Sequence, residues 1–189
     1  RRHINDKDLR QLKKNSQLPI NLEMALTDEM IKIAKKIKPN FICLVPEKRN
    51  EITTEGGLNI EKISKKKIKL LLTICNSNNI QLSVFINPKK KIIEIAKSLG
   101  FHAVELHTGP LDREKVNKLD IKKINEMINY SYKKNLIVNI GHGLNFSNIK
   151  YIKNRNKVDT VHIGHFIISE AIFLSLPKVI KIFKNLIKL

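Results

Sequence analysis

Gln81-Leu82-Ser83-Val84-Phe85-Ile86-Asn87-Pro88 reads as a short apolar strand closed by a polar pair, and the run from 88 to 99 behind it is amphipathic at helical spacing. Another short apolar run follows, Ala103-Val104-Glu105-Leu106, and another long amphipathic run from 118 to 134. Outward from this core the same unit recurs. Strands are predicted at Ile20-Asn21-Leu22-Glu23, Phe41-Ile42-Cys43-Leu44-Val45, Leu136-Ile137-Val138-Asn139-Ile140 and Thr160-Val161-His162-Ile163. The helical runs behind them cover 27 to 38, 60 to 78, 146 to 154 and 166 to 188, the last broken at Pro177, and a leading helix spans 5 to 16. Thr27 has the place of an N-cap, and Asn87-Pro88 puts proline at a first helical position. Alternating strand and helix units of this kind make a parallel sheet wrapped by helices. No Gly-x-Gly-x-x-Gly turn follows any strand, which removes the main support for a dinucleotide-binding sheet. The fold class expected is α/β: a single (β/α)8 barrel domain over residues 1–189, with about six of its eight strands in this chain. Two further units of very roughly 25 residues each would complete it. An N-terminally truncated barrel is therefore expected, with the sheet ending at the Ile20 strand and the isolated chain prone to aggregate.

Composition narrows the function classes. The 189 residues carry 36 Lys and Arg against 17 Asp and Glu, a formal charge of +19, with 42% hydrophobic residues and a mean hydropathy of −0.23. That is enough apolar material for a core, and no apolar run approaches the ~20 residues of a membrane span. The start, Arg1-Arg2-His3-Ile4, has no apolar segment of a secretion signal. Two cysteines, Cys43 and Cys75, are too few for a disulfide framework, so a cytoplasmic location is expected. The charge invites a nucleic-acid reading, but 30 of the 36 cations are Lys and base readout relies on the Arg fork. Lys, Ile and Asn fill 80 positions and share A/T-rich codons, so base bias accounts for the basicity and no nucleic-acid partner is expected. No metal is expected either, since there is no HExxH and His and Cys lack finger spacing.

In a barrel of this class the site lies at the C-terminal ends of the strands. The polar residues found there are Glu23; Glu47, Lys48 and Arg49; Asn87; Glu105 and His107; Asn139 and His142; Gly164 and His165. Gly141-His142-Gly143 and Gly164-His165 follow the last two strands, where barrels often hold phosphate on backbone N–H groups and a helix N-terminus. A phosphorylated small molecule is thus the expected ligand class. His102 opens a strand at the other end and reads as structural.

Six blocks carry a resemblance: Asn21-Leu22-Glu23-Met24-Ala25, Leu44-Val45-Pro46-Glu47-Lys48-Arg49, Thr53-Thr54-Glu55-Gly56-Gly57-Leu58, Glu105-Leu106-His107-Thr108-Gly109, Asn139-Ile140-Gly141-His142-Gly143-Leu144 and Ile163-Gly164-His165. In this order the chain closely resembles the pyridoxine 5'-phosphate synthase family of the deoxyxylulose-dependent vitamin B6 pathway. The resemblance implies a TIM barrel, a homo-octamer, and condensation of 1-deoxy-D-xylulose 5-phosphate with 3-amino-2-oxopropyl phosphate to pyridoxine 5'-phosphate, phosphate and water, with no cofactor. It implies that Glu23 and His142 are acid/base residues, that His3 and Thr53 contact substrate, and that Gly143, Gly164 and His165 bind phosphate. A histidine titrates near neutrality unaided, whereas Glu23 would need burial to raise its pKa. Two departures stand out: the family's first two strands, with their phosphate and catalytic motifs, are missing, and Ser169-Glu170 stands where a small residue and Arg are expected. The alternative reading is a non-catalytic remnant that keeps only barrel and assembly contacts.

Overall fold

The structure is a computed structural model that describes residues 4–47 and 56–187. Six strands form one sheet: β1 (Asn21–Met24), β2 (Phe41–Leu44), β3 (Gln81–Ile86), β4 (Ala103–His107), β5 (Ile137–Gly141) and β6 (Thr160–His162). Every pairing is parallel and the spatial order is the chain order, β1 to β6. A doubly wound sheet would reverse direction at some point; this one never does, so the strands curl as successive staves of a barrel. Among the described residues β1 pairs only with β2, and β6 only with β5.

The helices are α1 (Asp6–Asn15), α2 (Asp28–Ile37), α3 (Lys65–Ser77), α4 (Lys90–Ser98), α5 (Lys118–Lys133), α6 (His165–Leu174) and α7 (Leu176–Ile187). In α5 the buried residues Ile124, Met127, Ile128 and Ser131 recur at three- and four-residue spacing, which is one face of a helix laid on the sheet. Ile31 and Ala34 of α2, Ile68, Leu71 and Cys75 of α3, and Ile93 and Ala96 of α4 do the same. They meet Ile42, Leu44, Leu82, Val84, Ile86, Val104, Leu106, Val138 and Ile140, which alternate along the strands. Cys43, Phe85 and Ala103 are as deeply buried but stand outside this cluster, on the other, concave face. That face is where the polar strand residues go: Glu23, Ser83, Glu105, Asn139 and His162 share its register with Cys43 and Phe85. The strands are therefore not uniformly apolar; one face of the sheet is core and the other is chemistry.

Several boundaries differ from the sequence expectation. The helix over 146 to 154 does not form; residues 149–151 and 155–157 are short 3-10 turns instead. Asn145 and Asn148 compete with the helix, because Asn145 Oδ1 accepts from the N–H groups of Ser147 and Asn148 while Asn148 Oδ1 accepts from the Asn145 N–H. The helix over 60 to 78 starts only at Lys65, capped by the Ser64 hydroxyl, after a 3-10 turn at Ile60–Lys62. Pro88 sits two residues ahead of α4 rather than at its first position. The last helix breaks at Ser175, whose φ of 69° is left-handed, and Pro177 falls in the first turn of α7, where its missing N–H costs nothing. Thr27 caps α2 as expected, its hydroxyl accepting from the Met30 N–H at 3.1 Å.

Helix α6 has no buried residue, and Ile168, Ile172 and Phe173 are 62%, 79% and 81% exposed. A contiguous exposed apolar face drives association in water. Replacing Ile172 with Lys and Phe173 with Glu should reduce light scattering of the concentrated chain while leaving the circular dichroism spectrum unchanged. Unaltered scattering would place the association elsewhere.

Candidate active site

The C-terminal ends of β4, β5 and β6 surround one buried carboxylate. Glu105 is 1% exposed. Its Oε2 accepts from His162 Nδ1 at 2.6 Å and from the Cys43 thiol at 3.4 Å, and its Oε1 lies 3.8 Å from His142 Nε2. Glu23 joins from β1: its carboxylate, that of Glu105 and the His162 imidazole offer atoms that all lie within 4.8 Å of one another. This spacing would admit a cation, but His162 Nδ1 and Glu105 Oε2 already face each other in a short hydrogen bond. The arrangement is that of groups sharing protons.

Gly141 makes the reach from β4 to β6 possible. It lies in register between His107 and His162. A Cβ added there would stand 2.2 Å from Glu105 Oε1 and 3.1 Å from His162 Cβ. The missing side chain is thus the gap through which Glu105 crosses β5. Sequence reading placed Gly141 in a phosphate loop and missed this use.

The loop that follows is held from two sides. His142 has φ 71°, a costly conformation for a residue with a side chain, and Gly143 has φ 66°. The Thr108 hydroxyl sits 2.7 Å from both the Gly141 and His142 carbonyl oxygens, and its N–H donates to Gly141 O at 2.8 Å. The Asn148 side-chain amide donates to Gly143 O at 2.6 Å and Leu111 O at 3.0 Å. Gly143 is also pressed on the next loop, since a Cβ there would come within 2.8 Å of Gly109 Cα.

The imidazoles are tuned apart. Phe85 packs edge-on to His107 with ring centres 5.3 Å apart and against His142 at 4.3 Å. Burial, helped by His142 nearby and only partly offset by Glu105, pushes the His107 pKa down to about 4. Burial acts to lower His162 as well, but the hydrogen bond and charge of Glu105, with Glu23 and Asp159 behind them, outweigh it and hold His162 above its ordinary value. Cys43 is held as the thiol by burial first and by Glu105 second. It is a hydrogen-bond donor here rather than a nucleophile.

Of the residues expected from sequence, Glu23 and His142 do converge on Glu105. Glu23 is exposed, and its carboxylate stands within 4.8 Å of that of Glu105 and of the His162 imidazole. Gly164 caps α6, with open space where its side chain would be, and His165 is the exposed first residue of that helix. His3 and Thr53 lie outside the described residues. His102 is at the opposite end: its Nδ1 accepts from the Leu82 N–H at 2.9 Å and its Nε2 pairs with Asn76 Oδ1 at 3.1 Å, a structural role as expected. Glu105 was one polar strand end among many in the sequence, and His162 was only part of a strand. The two-residue alternation of Thr160-Val161-His162-Ile163, set beside Asn139-Ile140-Gly141, was the signal that would have placed His162 on the concave face.

Comparison with known proteins bears on this geometry directly. The family described as pyridoxal phosphate biosynthesis protein PdxJ matches residues 1–189. The chain belongs to the PdxJ family. It is 42% identical over 189 residues to pyridoxine 5'-phosphate synthase of Prochlorococcus marinus strain MIT 9515, covering 99% of this chain and 79% of that protein. It is 44% identical over 193 residues to the synthase of Pelagibacter ubique, covering 98% and 79%. Among solved structures, a tryptophan synthase α-subunit from Pyrococcus furiosus superposes with a TM-score of 0.62 at 13% identity, over 97% of this chain and 72% of that one. A 3-hexulose-6-phosphate synthase gives 0.61 at 11%, over 93% and 76%. At such identities the superpositions speak to the fold alone, an α/β barrel type with six parallel strands, and the PdxJ assignment rests on sequence.

The depressed His107 value makes a stability prediction. His107 is neutral when folded and takes a proton near pH 6.5 when unfolded, so the unfolded chain binds more protons between the two values. Its contribution is complete above about pH 6.5 and is lost as pH falls toward about 4. Urea titrations of the native chain and of His107→Gln should therefore diverge in slope over this window, the variant losing less stability on acidification. Parallel curves would mean that His107 is solvated and ordinary.

Proposed function

We propose that this chain carries the PdxJ reaction at the concave mouth: condensation of 1-deoxy-D-xylulose 5-phosphate with 3-amino-2-oxopropyl phosphate to give pyridoxine 5'-phosphate, phosphate and water. Imine formation, ring closure and dehydration are all proton transfers, and they need paired groups that can give and take a proton near neutral pH. The observation that carries the reading is the cluster at Glu105, where one imidazole, His142, stands 3.8 Å from a buried carboxylate whose other oxygen is taken by a second imidazole. Glu23 and His142 are the acid/base pair. Glu105 stands behind His142, where its charge favours the protonated imidazole each time the substrate returns a proton. Gly143, Gly164 and His165 receive phosphate. In support, Gly164 is the N-cap residue of α6, where a side chain would meet open space, and a helix N-terminus favours an anion. His3 and Thr53 are assigned to substrate on the sequence resemblance. No cofactor enters this scheme, a cytoplasmic setting suits it, and the exposed apolar face of α6 supports self-association, the homo-octamer of the sequence resemblance being the assembly proposed.

The test is product formation from the two substrates by the chain and by Glu23→Gln. The amide keeps size and hydrogen bonding but cannot exchange the proton, so turnover should fall by ~10² to 10⁴ with KM little changed. Equal kcat in both would remove Glu23 from the mechanism. A folded chain that makes no product would favour the non-catalytic remnant.

A further inference from the structure

Of the titratable groups on the concave face to which the proposed reaction gives no task, His162 is the one bonded to the buried carboxylate through its ring nitrogen. Val161 and Ile163 pack toward the helices, so His162 between them is turned to the mouth, beside the bare backbone of Gly141. Through that gap its Nδ1 meets Glu105 Oε2 at 2.6 Å, and this contact leaves the other oxygen, Oε1, without a hydrogen bond and 3.8 Å from His142 Nε2. We propose that His162 is a positioning residue: it donates its Nδ1 proton to Glu105 Oε2, fixes the carboxylate with Oε1 toward His142, and shares the carboxylate's charge so that His142 can both take and release a proton. The inference rests on His142 being the acid/base group.

The surroundings favour the cationic form of His162. Glu23 faces it from β1 and Glu105 from β4, and Asp159 precedes its own strand. Cys43 on β2 contributes a neutral thiol to the same Glu105 oxygen, and His107 on β4 is kept neutral by burial. His142, after β5, is the one other imidazole within ion-pair reach of Glu105 among the described residues. A buried carboxylate with two imidazoles beside it draws a proton to one of them. The 2.6 Å bond assigns that proton to His162. Without it, the carboxylate's full charge would fall on His142, which would then hold its proton too tightly to pass it on.

The experiment is a side-chain nitrogen NMR titration of the chain and of His162→Asn. An Asn side-chain amide can occupy the place of Nδ1 and donate the same hydrogen bond, but it carries no charge. In the unmodified chain the His162 signal should show a proton on Nδ1 at neutral pH; a proton on Nε2 alone would overturn the proposal. In His162→Asn the titration midpoint of His142 should rise by about half a unit or more, because a nearby positive charge is gone and the carboxylate is left to it. An unchanged midpoint overturns the proposal. If that variant does not fold, Glu105→Gln gives the reciprocal reading: the His162 midpoint must fall, and a constant one is equally decisive. None of these readouts depends on turnover, so they separate this claim from the proposed function. A chain that shows the shifts yet makes no product would count against the reaction and leave the positioning role standing.

Discussion

A carboxylate that is nearly sealed from water inside a sheet has to be answered by its neighbours, because burying an uncompensated charge costs several kcal/mol, a large part of the ~5 to 15 kcal/mol that holds a domain together. Glu105 imposes this requirement on four strands at once. It draws a thiol proton from β2 and an imidazole from β6, passes over β5 where Gly141 has no side chain, and faces the imidazole that follows β5. A larger residue at 141 would collide with the carboxylate itself. The identities at 43, 141, 142 and 162 are therefore coupled to the one at 105, although 119 positions separate the first from the last.

The division of the sheet into two faces gives this carboxylate its setting. On the convex side alternate strand residues and the helix stripes make a core that excludes water and fixes the register. On the concave side the same register stacks Phe85, Glu105 and Asn139 in a row, with Gly141 and His162 one step further on. The three imidazoles at this end then differ only in surroundings. His107, wedged against Phe85, is kept neutral; His162, bonded to Glu105, is held toward the cation; His142 stands on a loop with φ 71° that Thr108 and Asn148 hold in place. Pushing the titrations of neighbouring groups apart is how one site supplies both an acid and a base at a single pH.

The periodic parts of this structure were legible in the sequence and the register-dependent parts were not. Strands such as Gln81–Ile86 and helices such as Lys118–Lys133 announce themselves because burial on one side imposes a repeat of two or of 3.6. Glu23 and His142 were legible because they end apolar runs, and His102 because it starts one. The turns at 149–157 were not, since Asn145 and Asn148 win hydrogen bonds that a helical pattern assigns to the backbone. Nor was the Glu105–His162 bond: it joins residues 57 apart, and only the parallel pairing of β4, β5 and β6 brings them to adjacent levels of one face. Glycines mislead most easily. Gly141 and Gly164 look alike as strand-end glycines, yet one is packed against a carboxylate and the other faces open space.

The proposed seat of the phosphorylated ligand is the mouth lined by His107, His142 and His162, and the histidines themselves can report it. Pyridoxine 5'-phosphate added to the chain should shift the side-chain nitrogen resonances of these three residues along one saturating binding curve, while His102, hydrogen-bonded at the opposite end of the sheet, stays where it is. Saturable binding that moves His102 and leaves the three mouth histidines unchanged would contradict the account.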